Sequence, residues 1–339
     1  MKQVEVDKIQ CKNIGEIVRT LKFRPEFYDR KFLKLNANKE KTMLAYLFAS
    51  AICHQTHSLW NAKLNLKGWD YLEYVFGSLA KKNSKLLNID YLNSITRIEL
   101  SEKLKPLFSE DSDPNDCTLD KLIERSDFIL DITKVLYKKY NSKLSNLINI
   151  SGGYLKHKIS KSDNQIGLYN LLRDFKAFQD PTCKKSTVFI KLLVNSGLIQ
   201  IKDPKNFVPD MDYHIQRVML RMGCIEILNE ELKQKLVNKQ KIESDTEIRN
   251  ACIDAVKIIA DDSGYPSYKM NNFFWPLGRS CCKELLLCQD HKCNKNPCTF
   301  ELAISLKSHK NCIFVDVCKA SSDPLYQKLW QPQVETNYY

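Results

Sequence analysis

The sequence predicts an all-α protein. Apolar residues recur at helical spacing in three separate segments, 186–196, 214–222 and 247–260. Only the short segment IFVDV at 313–317 has the composition of a strand. The chain has 339 residues, of which 43% are hydrophobic. It can therefore bury a sizeable core, as one large domain or as two of medium size.

The predicted helices are followed by residues that commonly end helices. A fourth segment, 126–150, also carries apolar residues at helical spacing. The stripe of 186–196 ends just before Gly197, and that of 247–260 is followed shortly by Gly264. Glycine is favoured at such positions because it adopts the left-handed conformation of a C-terminal cap. Polar composition predicts exposed loops at 109–117 and 151–164.

The charge balance indicates the class of partner. Lys and Arg number 52 against 40 Asp and Glu, which leaves a net charge of +12. A surplus of this sign favours a polyanion, with nucleic acid first and an acidic membrane surface second. The N-terminal stretch has no apolar core of a signal peptide, and the apolar run at 43–53 is too short to span a bilayer. We expect an intracellular protein, cytoplasmic or, in a eukaryotic cell, nuclear.

Thirteen cysteines are distributed unevenly. In an intracellular protein the thiols stay reduced, so scattered cysteines act as small core residues. A dense group in the same compartment indicates a metal site. Six cysteines are scattered, and seven fall within 38 residues, namely Cys281, Cys282, Cys288, Cys293, Cys298, Cys312 and Cys318.

Four stretches carry residues suited to chemistry. They are AICHQTHSLWN at 51–61, DPTCKKSTVFIKLLVNSG at 180–197, VPDMDYHIQRV at 208–218 and FFWPLGRSCC at 273–282. Their order resembles that in helix-hairpin-helix DNA glycosylases of the endonuclease III type. In that family a Gln-Thr element, a hairpin lysine, an essential aspartate and a four-cysteine iron–sulfur loop follow one another. The resemblance extends over 43–75 and 170–318.

The resemblance implies a fold and a partner. The fold would consist of two helical subdomains, one of residues 40–210 with a degenerate helix-hairpin-helix, the other of 1–39 and 211–339 with the cysteine-rich metal loop at 281–318. The partner would be double-stranded DNA. The protein would act as a monomer and would not associate with a membrane. The activity would be excision of a flipped base, with AP-lyase activity as a further possibility.

Two residues match the catalytic positions of the family. Asp212 would stabilise the positive charge that develops on the sugar as the N-glycosidic bond breaks. An Asp that precedes an amphipathic helix is also a common N-terminal cap, and the two roles are compatible. Lys185 would be the nucleophile of a bifunctional enzyme, which requires an amine whose pKa is lowered. Its alternative role, shared with Lys184, is contact with phosphates.

Five further residues are predicted to bind the substrate. Gln55 matches the side chain that fills the gap left by a flipped base, and it would lie with His54 and Thr56 in an otherwise apolar helix. His214 follows Asp212 closely and would support it by hydrogen bonds. Lys184 would contribute positive charge beside Lys185.

For the metal, the resemblance implies four thiolates around a [4Fe-4S] cluster. Cys282, Cys312 and Cys318 match the edges of the family's loop, and Cys298 is the predicted fourth ligand, with Cys288 or Cys293 as alternatives. A structural zinc ion bound by Cys293, Cys298, Cys312 and Cys318 is the competing interpretation. The adjacent cationic residues would face the DNA backbone, namely Arg279, Lys283, His291, Lys292 and Lys295.

The chain departs from the family in two places. The hairpin of the family is rich in glycine because its backbone must approach a phosphate closely, whereas 179–183 contains no glycine and includes Asp180. The cysteine spacing matches only in the closing C-x5-C of Cys312 and Cys318. Two other functions therefore stay open. One is an N-glycosylase for a modified nucleoside or nucleotide, similar to queuosine salvage enzymes, and the other is a non-catalytic nucleic-acid-binding protein with a structural metal.

Overall fold

The computed structural model describes residues 2–25, 29–156, 158–159, 164–289, 298–306 and 309–339. The chain is predominantly helical, with 57% helix and 6% strand, which confirms the all-α class. The described helices are α1 Lys8–Arg19, α2 Lys39–Ala51, α3 Trp69–Lys81, α4 Ile89–Asn93, α5 Arg97–Leu104, α6 Leu122–Lys139, α7 Leu144–Ile150, α8 Leu168–Leu172, α9 Lys184–Asn195, α10 Tyr213–Met222, α11 Glu230–Val237, α12 Thr246–Ser263, α13 Asn271–Ser280, α14 Thr299–Ala303 and α15 Pro324–Lys328. Within these residues, no helix is long and apolar enough to cross a membrane.

The strands are short and pair in antiparallel twos. β1 (Val4–Val6) pairs with β7 (Ile225–Ile227), in the register Val4 to Ile227. The remaining pairs are β2 (Lys22–Phe23) with β8 (Ile304–Ser305), β3 (Trp60–Asn61) with β4 (Leu66–Lys67), and β5 (Lys158–Ile159) with β6 (Asn164–Gln165).

The chain divides into two compact units. The terminal unit comprises Met1–Asp29 and Phe207–Glu335, and the central unit comprises Arg30–Asn206 and Thr336–Tyr339. The sequence predicted the boundaries between the two units at 39/40 and 210/211. It assigned the last four residues to the terminal unit. The C-terminus belongs to the central unit because the carbonyl of Tyr339 accepts a hydrogen bond from the backbone of Gln55, at 3.1 Å.

The core of the terminal unit joins both ends of the chain. Helix α1 packs against α12, and α10 packs against α13. The N-terminus of α12 also holds β1, because Glu247 accepts hydrogen bonds from the backbone N–H groups of Gln3 and Val4 at 2.7 and 3.1 Å. The apolar stripes predicted at 214–222 and 247–260 supply much of this core, which includes Ile215, Val218, Met219, Cys252, Val256 and Ile259.

The central unit is built around α2. All residues from Thr42 to Ala51 are buried in this helix, which packs against α3, α6, α7 and α9. A ring of Tyr46 lies against Phe32, and the Tyr46 hydroxyl donates to the carbonyl of Phe32 at 2.6 Å. A helix buried on every side carries no polar face, which explains its continuous apolar sequence.

Three local expectations require correction. The segment 126–150 forms two helices, α6 and α7, because Asn141 and Ser142 adopt positive φ angles of 50° and 57° between them. The prediction of a strand at 313–317 is wrong. The segment forms turns in which the backbone N–H of Val315 donates to the carbonyl of Cys312, and the N–H of Cys318 donates to the carbonyl of Phe314. The polar HQT stretch lies in a turn after α2 has ended at Ala51, and not inside a helix.

Candidate functional site

The predicted site residues fall into two sets, one in each unit. The terminal unit holds Asp212, His214 and the clustered cysteines, and the central unit holds His54, Gln55, Thr56, Lys184 and Lys185. Of the cationic residues predicted beside the metal, Arg279 and Lys283 lie within the described residues. Cys293, His291, Lys292 and Lys295 lie outside them.

Asp212 is the N-terminal cap of α10. Its side chain is 8% exposed, and its Oδ1 accepts a hydrogen bond from the backbone N–H of Ile215 at 3.1 Å. An extended Asp residue in this position satisfies one of the free N–H groups of the first turn. The carboxylate is consequently held in one orientation at the positive end of a ten-residue helix.

Arg217, one turn into α10, connects the helix to its surroundings. The guanidinium is 2% exposed, and it donates to the carbonyls of Cys282 at 2.8 Å and Gly278 at 2.7 Å. One of its nitrogens lies 3.2 Å from Nδ1 of His214, so His214 is oriented from within its own helix. A buried arginine needs such partners, since an unpaired buried charge is costly.

Arg221 lies one turn further along the same face of α10. Its Nη1 donates to the carbonyl of Lys283 at 2.5 Å and lies 3.6 Å from the sulfur of Cys282. The backbone carbonyl of Arg221 is in turn 3.5 Å from the sulfur of Cys318. This one residue therefore contacts both ends of the cysteine-rich segment.

An indole ring covers the two arginines. The guanidinium carbons of Arg217 and Arg221 lie 4.7 and 5.1 Å from the ring centre of Trp330, and Nζ of Lys239 lies 4.3 Å from it. The face of an indole carries partial negative charge and attracts cations. The sequence argument missed Arg221 and Trp330, although the i, i+4 spacing of two arginines in an amphipathic helix was a visible signal.

Helices α10 and α13 approach very closely at Gly278. A Cβ atom there would lie 2.7 Å from the carbonyl oxygen of His214. Only glycine allows this distance, so Gly278 is required for packing. The helix that leads into the cysteine cluster is thereby held against the first turn of α10.

Four thiols near this position influence one another electrostatically. They belong to Cys282, Cys288, Cys312 and Cys318, which are arranged as two C-x5-C turns. Burial raises the pKa of Cys312 to about 12, and the charges of Cys282 and Cys288 act in the same direction. Burial likewise raises the pKa of Cys318, with contributions from the same two thiols and from Cys312. The two turns are tied together by Gln289, whose side chain donates to the carbonyl of Ser321 at 2.9 Å.

A second thiol group includes Cys298, and this differs from its predicted place. Cys281, Cys298 and His309 present ligand atoms within 4.8 Å of one another and could hold a metal ion. Nε2 of His309 lies 3.2 Å from the sulfur of Cys281 and 4.0 Å from that of Cys298. Hydrogen bonding to Cys298 raises the pKa of His309. Cys298 is thus among the residues that could hold a metal ion, but it lies with Cys281 and His309, while the thiols that raise the pKa of Cys318 are Cys282, Cys312 and Cys288.

In the central unit, the turn before α9 is organised by Asp180. This carboxylate is fully buried, and it accepts hydrogen bonds from the backbone N–H groups of Thr182 and Lys184, each at 3.0 Å. Cys183 has a φ of 58°, the left-handed conformation that usually selects glycine. The turn is therefore formed without a glycine, and its N–H groups are occupied by a side chain of the protein.

Lys185 is the second residue of α9, and its side chain is fully buried. Its Nζ donates to the carbonyl of Ala51 at 2.5 Å and lies 3.3 Å from Nδ1 of His54. Burial lowers the pKa of Lys185 to about 7, and the charges of Lys184 and Arg125 act in the same direction. An amine with this pKa has a substantial neutral fraction near pH 7, as a Schiff-base lysine needs.

Two more buried groups complete this cluster. Arg125 is fully buried, and it donates to the carbonyl of Ile52 and to both a backbone and a side-chain oxygen of Asp120. Burial lowers the pKa of His54, as do the charges of Lys185 and Arg125, so His54 is neutral. The free carbonyls at the end of α2 are thus satisfied by the side chains of Lys185 and Arg125, of which Arg125 was not predicted from the sequence.

The other predicted residues of this unit are less enclosed. Gln55 has a φ of 44° and is half-buried, as is Thr56. Lys184 places its Nζ 3.4 Å from the sulfur of Cys53. The structure thus brings His54, Lys184 and Lys185 together around the end of α2, with Gln55 and Thr56 in the turn that follows it.

Comparison with models of known protein families gives no match for this chain, and comparison with curated proteins gives none either.

Proposed function

We propose that this protein cleaves the N-glycosidic bond of a damaged or mispaired base that has been flipped out of duplex DNA. One observation carries the proposal. A helix that begins with a buried carboxylate, Asp212, is bound through Arg217 and Arg221 to a four-cysteine loop. The net charge of +12 supports a polyanionic substrate.

Asp212 would act on the sugar. Breaking the bond leaves positive charge on the sugar ring, and a carboxylate that is already oriented stabilises that charge without reorganisation. Because Oδ1 is held by the N–H of Ile215, the carboxylate keeps this orientation. Flipping of the base is required because the bond to be broken is enclosed in the double helix.

Lys185 would be the nucleophile of an associated lyase activity. The lowered pKa supports this role, because a neutral amine can add to the C1′ cation that departure of the base leaves. The nitrogen then loses a proton, and the C1′–O4′ bond opens with a proton going to O4′, which gives the iminium. Its hydrogen bond to Ala51 must break before it can do so. If this bond persists, water attacks instead, and the enzyme releases the base without cutting the strand.

Cys282, Cys288, Cys312 and Cys318 would hold a [4Fe-4S] cluster. The donor set fits, because four thiolates bind such a cluster and the nearby guanidinium of Arg221 compensates its negative charge. A bound cluster would have a structural role, in which it fixes the loop that Arg217 and Arg221 contact. A single structural zinc ion is the alternative occupant of the same four thiolates.

The test is base release from a panel of duplexes that contain oxidised, deaminated, alkylated or mispaired bases. Wild-type protein should release at least one of these bases, and Asp212→Asn should abolish release while duplex binding remains. If Asp212→Asn releases the base at the wild-type rate, the carboxylate is only a helix cap. If wild type releases no base but binds duplex DNA, the protein is a non-catalytic nucleic-acid-binding protein.

One observation favours a second substrate class, a modified nucleoside or nucleotide. Two N–H groups of the turn before α9, those of Thr182 and Lys184, are occupied by the Asp180 carboxylate, so these two are not available for a DNA phosphate. A free nucleoside needs no such contact with a backbone. Incubation of wild-type protein with modified nucleosides and their 5′-phosphates distinguishes the two classes. If the base is released from these compounds but not from duplexes, Asp212 acts on a small substrate and not on DNA.

A further inference from the structure

Three ligand atoms converge beside the four-cysteine group. Nε2 of His309 lies 3.2 and 4.0 Å from the sulfurs of Cys281 and Cys298. In a tetrahedral zinc site, sulfur and imidazole nitrogen are separated by about 3.6 Å, as follows from metal–ligand distances near 2.3 and 2.05 Å. The two observed distances bracket that value, so a single ion fits between the three atoms.

The backbone around this group is well fixed. Cys281 ends α13, where its N–H donates to the carbonyl of Leu277 at 2.9 Å, and Cys298 is the N-terminal cap residue of α14. The neighbours of the two cysteines are joined directly, because the N–H of Thr299 donates to the hydroxyl of Ser280 at 3.0 Å. Both sulfurs are thereby held toward the same point.

The histidine is positioned as metal-binding histidines are. Its ring meets Phe300 edge-on at 6.0 Å, and its Nε2 faces the two sulfurs. Nδ1 is buried and has no hydrogen-bond partner among the described residues, while a carboxylate oxygen of Glu301 lies 3.9 Å from it. Binding of a metal at Nε2 fixes the proton on Nδ1, which can then be donated to this carboxylate.

We infer that Cys281, Cys298 and His309 form a zinc site that is separate from the four-thiolate site of Cys282, Cys288, Cys312 and Cys318. Two thiolates and one imidazole are ligands that zinc prefers, and they are too few for a cubane cluster. The adjacent residues Cys281 and Cys282 serve different sites, since the sulfur of Cys281 contacts His309 and that of Cys282 contacts Arg221.

The zinc ion would join the end of α13 to the start of α14. Helix α13 is the one that Gly278 holds against α10, and its carbonyl at Gly278 accepts from Arg217. The ion would therefore stabilise the helix that supports the capped start of α10. The zinc site itself does not depend on the proposed glycosylase activity, whereas the iron measurements below rest on the four-thiolate cluster of the proposed function.

The experiment uses the full-length protein purified without oxygen or chelators and supplied with zinc and iron. Zinc and iron are measured per chain by mass spectrometry, and X-ray absorption at the zinc edge counts the sulfur and nitrogen neighbours. We expect one zinc bound by two or three sulfurs and at least one imidazole nitrogen. Cys298→Ser should lower zinc by more than about tenfold and leave iron unchanged. Cys288→Ser, the matched control, should lower iron and leave zinc unchanged.

Three results would overturn the inference. The first is wild-type protein that holds no zinc after zinc has been supplied. The second is zinc surrounded by four sulfurs, which would place it in the four-thiolate group. The third is loss of iron in Cys298→Ser, which would make Cys298 a ligand of the cluster. Because the wild-type spectrum decides the first two, a variant that fails to fold does not prevent a decision, and His309→Asn provides a second variant for the third.

Discussion

Nζ of Lys185 donates a hydrogen bond of 2.5 Å to the carbonyl of Ala51, the last residue of α2. This contact gives a predicted catalytic residue a structural role as well. Helix ends leave carbonyl groups without partners, and here buried basic side chains from two other segments satisfy them. The proposed chemistry of Lys185 and its contribution to stability are therefore separable only by experiments that measure both.

Replacement of Lys185 by Met keeps most of the side-chain volume and removes the amine. We expect Lys185→Met to lower the free energy of unfolding by about 1–3 kcal/mol, because the carbonyl of Ala51 loses its donor. It should also abolish borohydride trapping on any duplex from which wild type releases a base. Lys184→Met is the control, since it removes a neighbouring amine and should leave trapping intact. Trapping that persists in Lys185→Met would exclude this lysine as the nucleophile.

The lowered pKa of Lys185 predicts a pH dependence of stability. The unfolded amine binds a proton up to about pH 10.5, and the folded one only up to about pH 7. Between these values the unfolded state holds more protons, so stability rises with pH from 7 to 10.5 and is lost as pH falls toward 7. Each pKa unit corresponds to about 1.4 kcal/mol, so the expected change is on the order of a few kcal/mol.

This dependence is measured as the difference in urea unfolding between wild type and Lys185→Met across the same pH range. Titration of tyrosines and cysteines is common to both proteins and cancels in the difference. The loss of stability in the variant should be larger at pH 10 than at pH 7. An equal loss at both values would show that the amine of Lys185 titrates normally.

Asp212 can be tested for capping and chemistry at once. Asn caps a helix nearly as well as Asp, whereas Ala does not. We expect Asp212→Asn to keep the wild-type unfolding free energy within about 0.5 kcal/mol and to lower base release by about a hundredfold or more. Asp212→Ala should lower both, with a loss of about 1 kcal/mol in stability. Equal activities of wild type and Asp212→Asn would leave capping as the only role.

The four-thiolate group predicts which cysteine controls iron content. Cys288→Ser should reduce iron and sulfide from about four of each per chain to a small fraction, with loss of the brown absorption. Cys117→Ser is the control, because this substitution also removes one thiol but does so in the central unit, where Cys117 lies beside the carbonyl of Leu119. A colourless wild-type protein with one zinc bound by four sulfurs would favour the structural zinc site.

The surroundings of two helical glycines, Gly278 and Gly77, predict that replacement by Ala has different effects on stability at the two positions. In Gly278→Ala the new methyl group would meet the carbonyl of His214 at 2.7 Å, so α10 and α13 must separate. We expect a loss of about 1–3 kcal/mol in unfolding free energy. In Gly77→Ala the nearest atoms, in Leu35 and Phe32, lie at 3.4 Å, so the helix preference of Ala should leave stability unchanged or raise it by up to about 1 kcal/mol. Thermal and urea unfolding of the two variants provide the comparison.

The sequence by itself determined the helical class, three of the principal helices and the cap at Asp212. These features depend on residues close together in the chain, namely apolar residues at helical spacing and a polar residue before the first turn. The turn after α2, the break at Asn141 and Ser142, and the turns at 313–317 were not predicted. At 313–317, for example, the carbonyl of Val317 accepts from the side chain of Gln10, about three hundred positions away in the sequence.

Only the tertiary structure decided which cysteines group together. Seven cysteines within 38 residues indicate a metal site, but spacing does not show that Cys298 lies with Cys281 and His309, or that Cys282, Cys288 and Cys312 all raise the pKa of Cys318. The adjacent Cys281 and Cys282 turn to different partners just after α13 ends at Ser280, and the pairing of Cys281 with His309 depends on contacts of the whole unit. The same holds for Lys185, whose pKa is lowered by burial beside Arg125 and the end of α2. The local sequence pattern determines which helices form. Only tertiary packing determines which side chains are buried and contact one another.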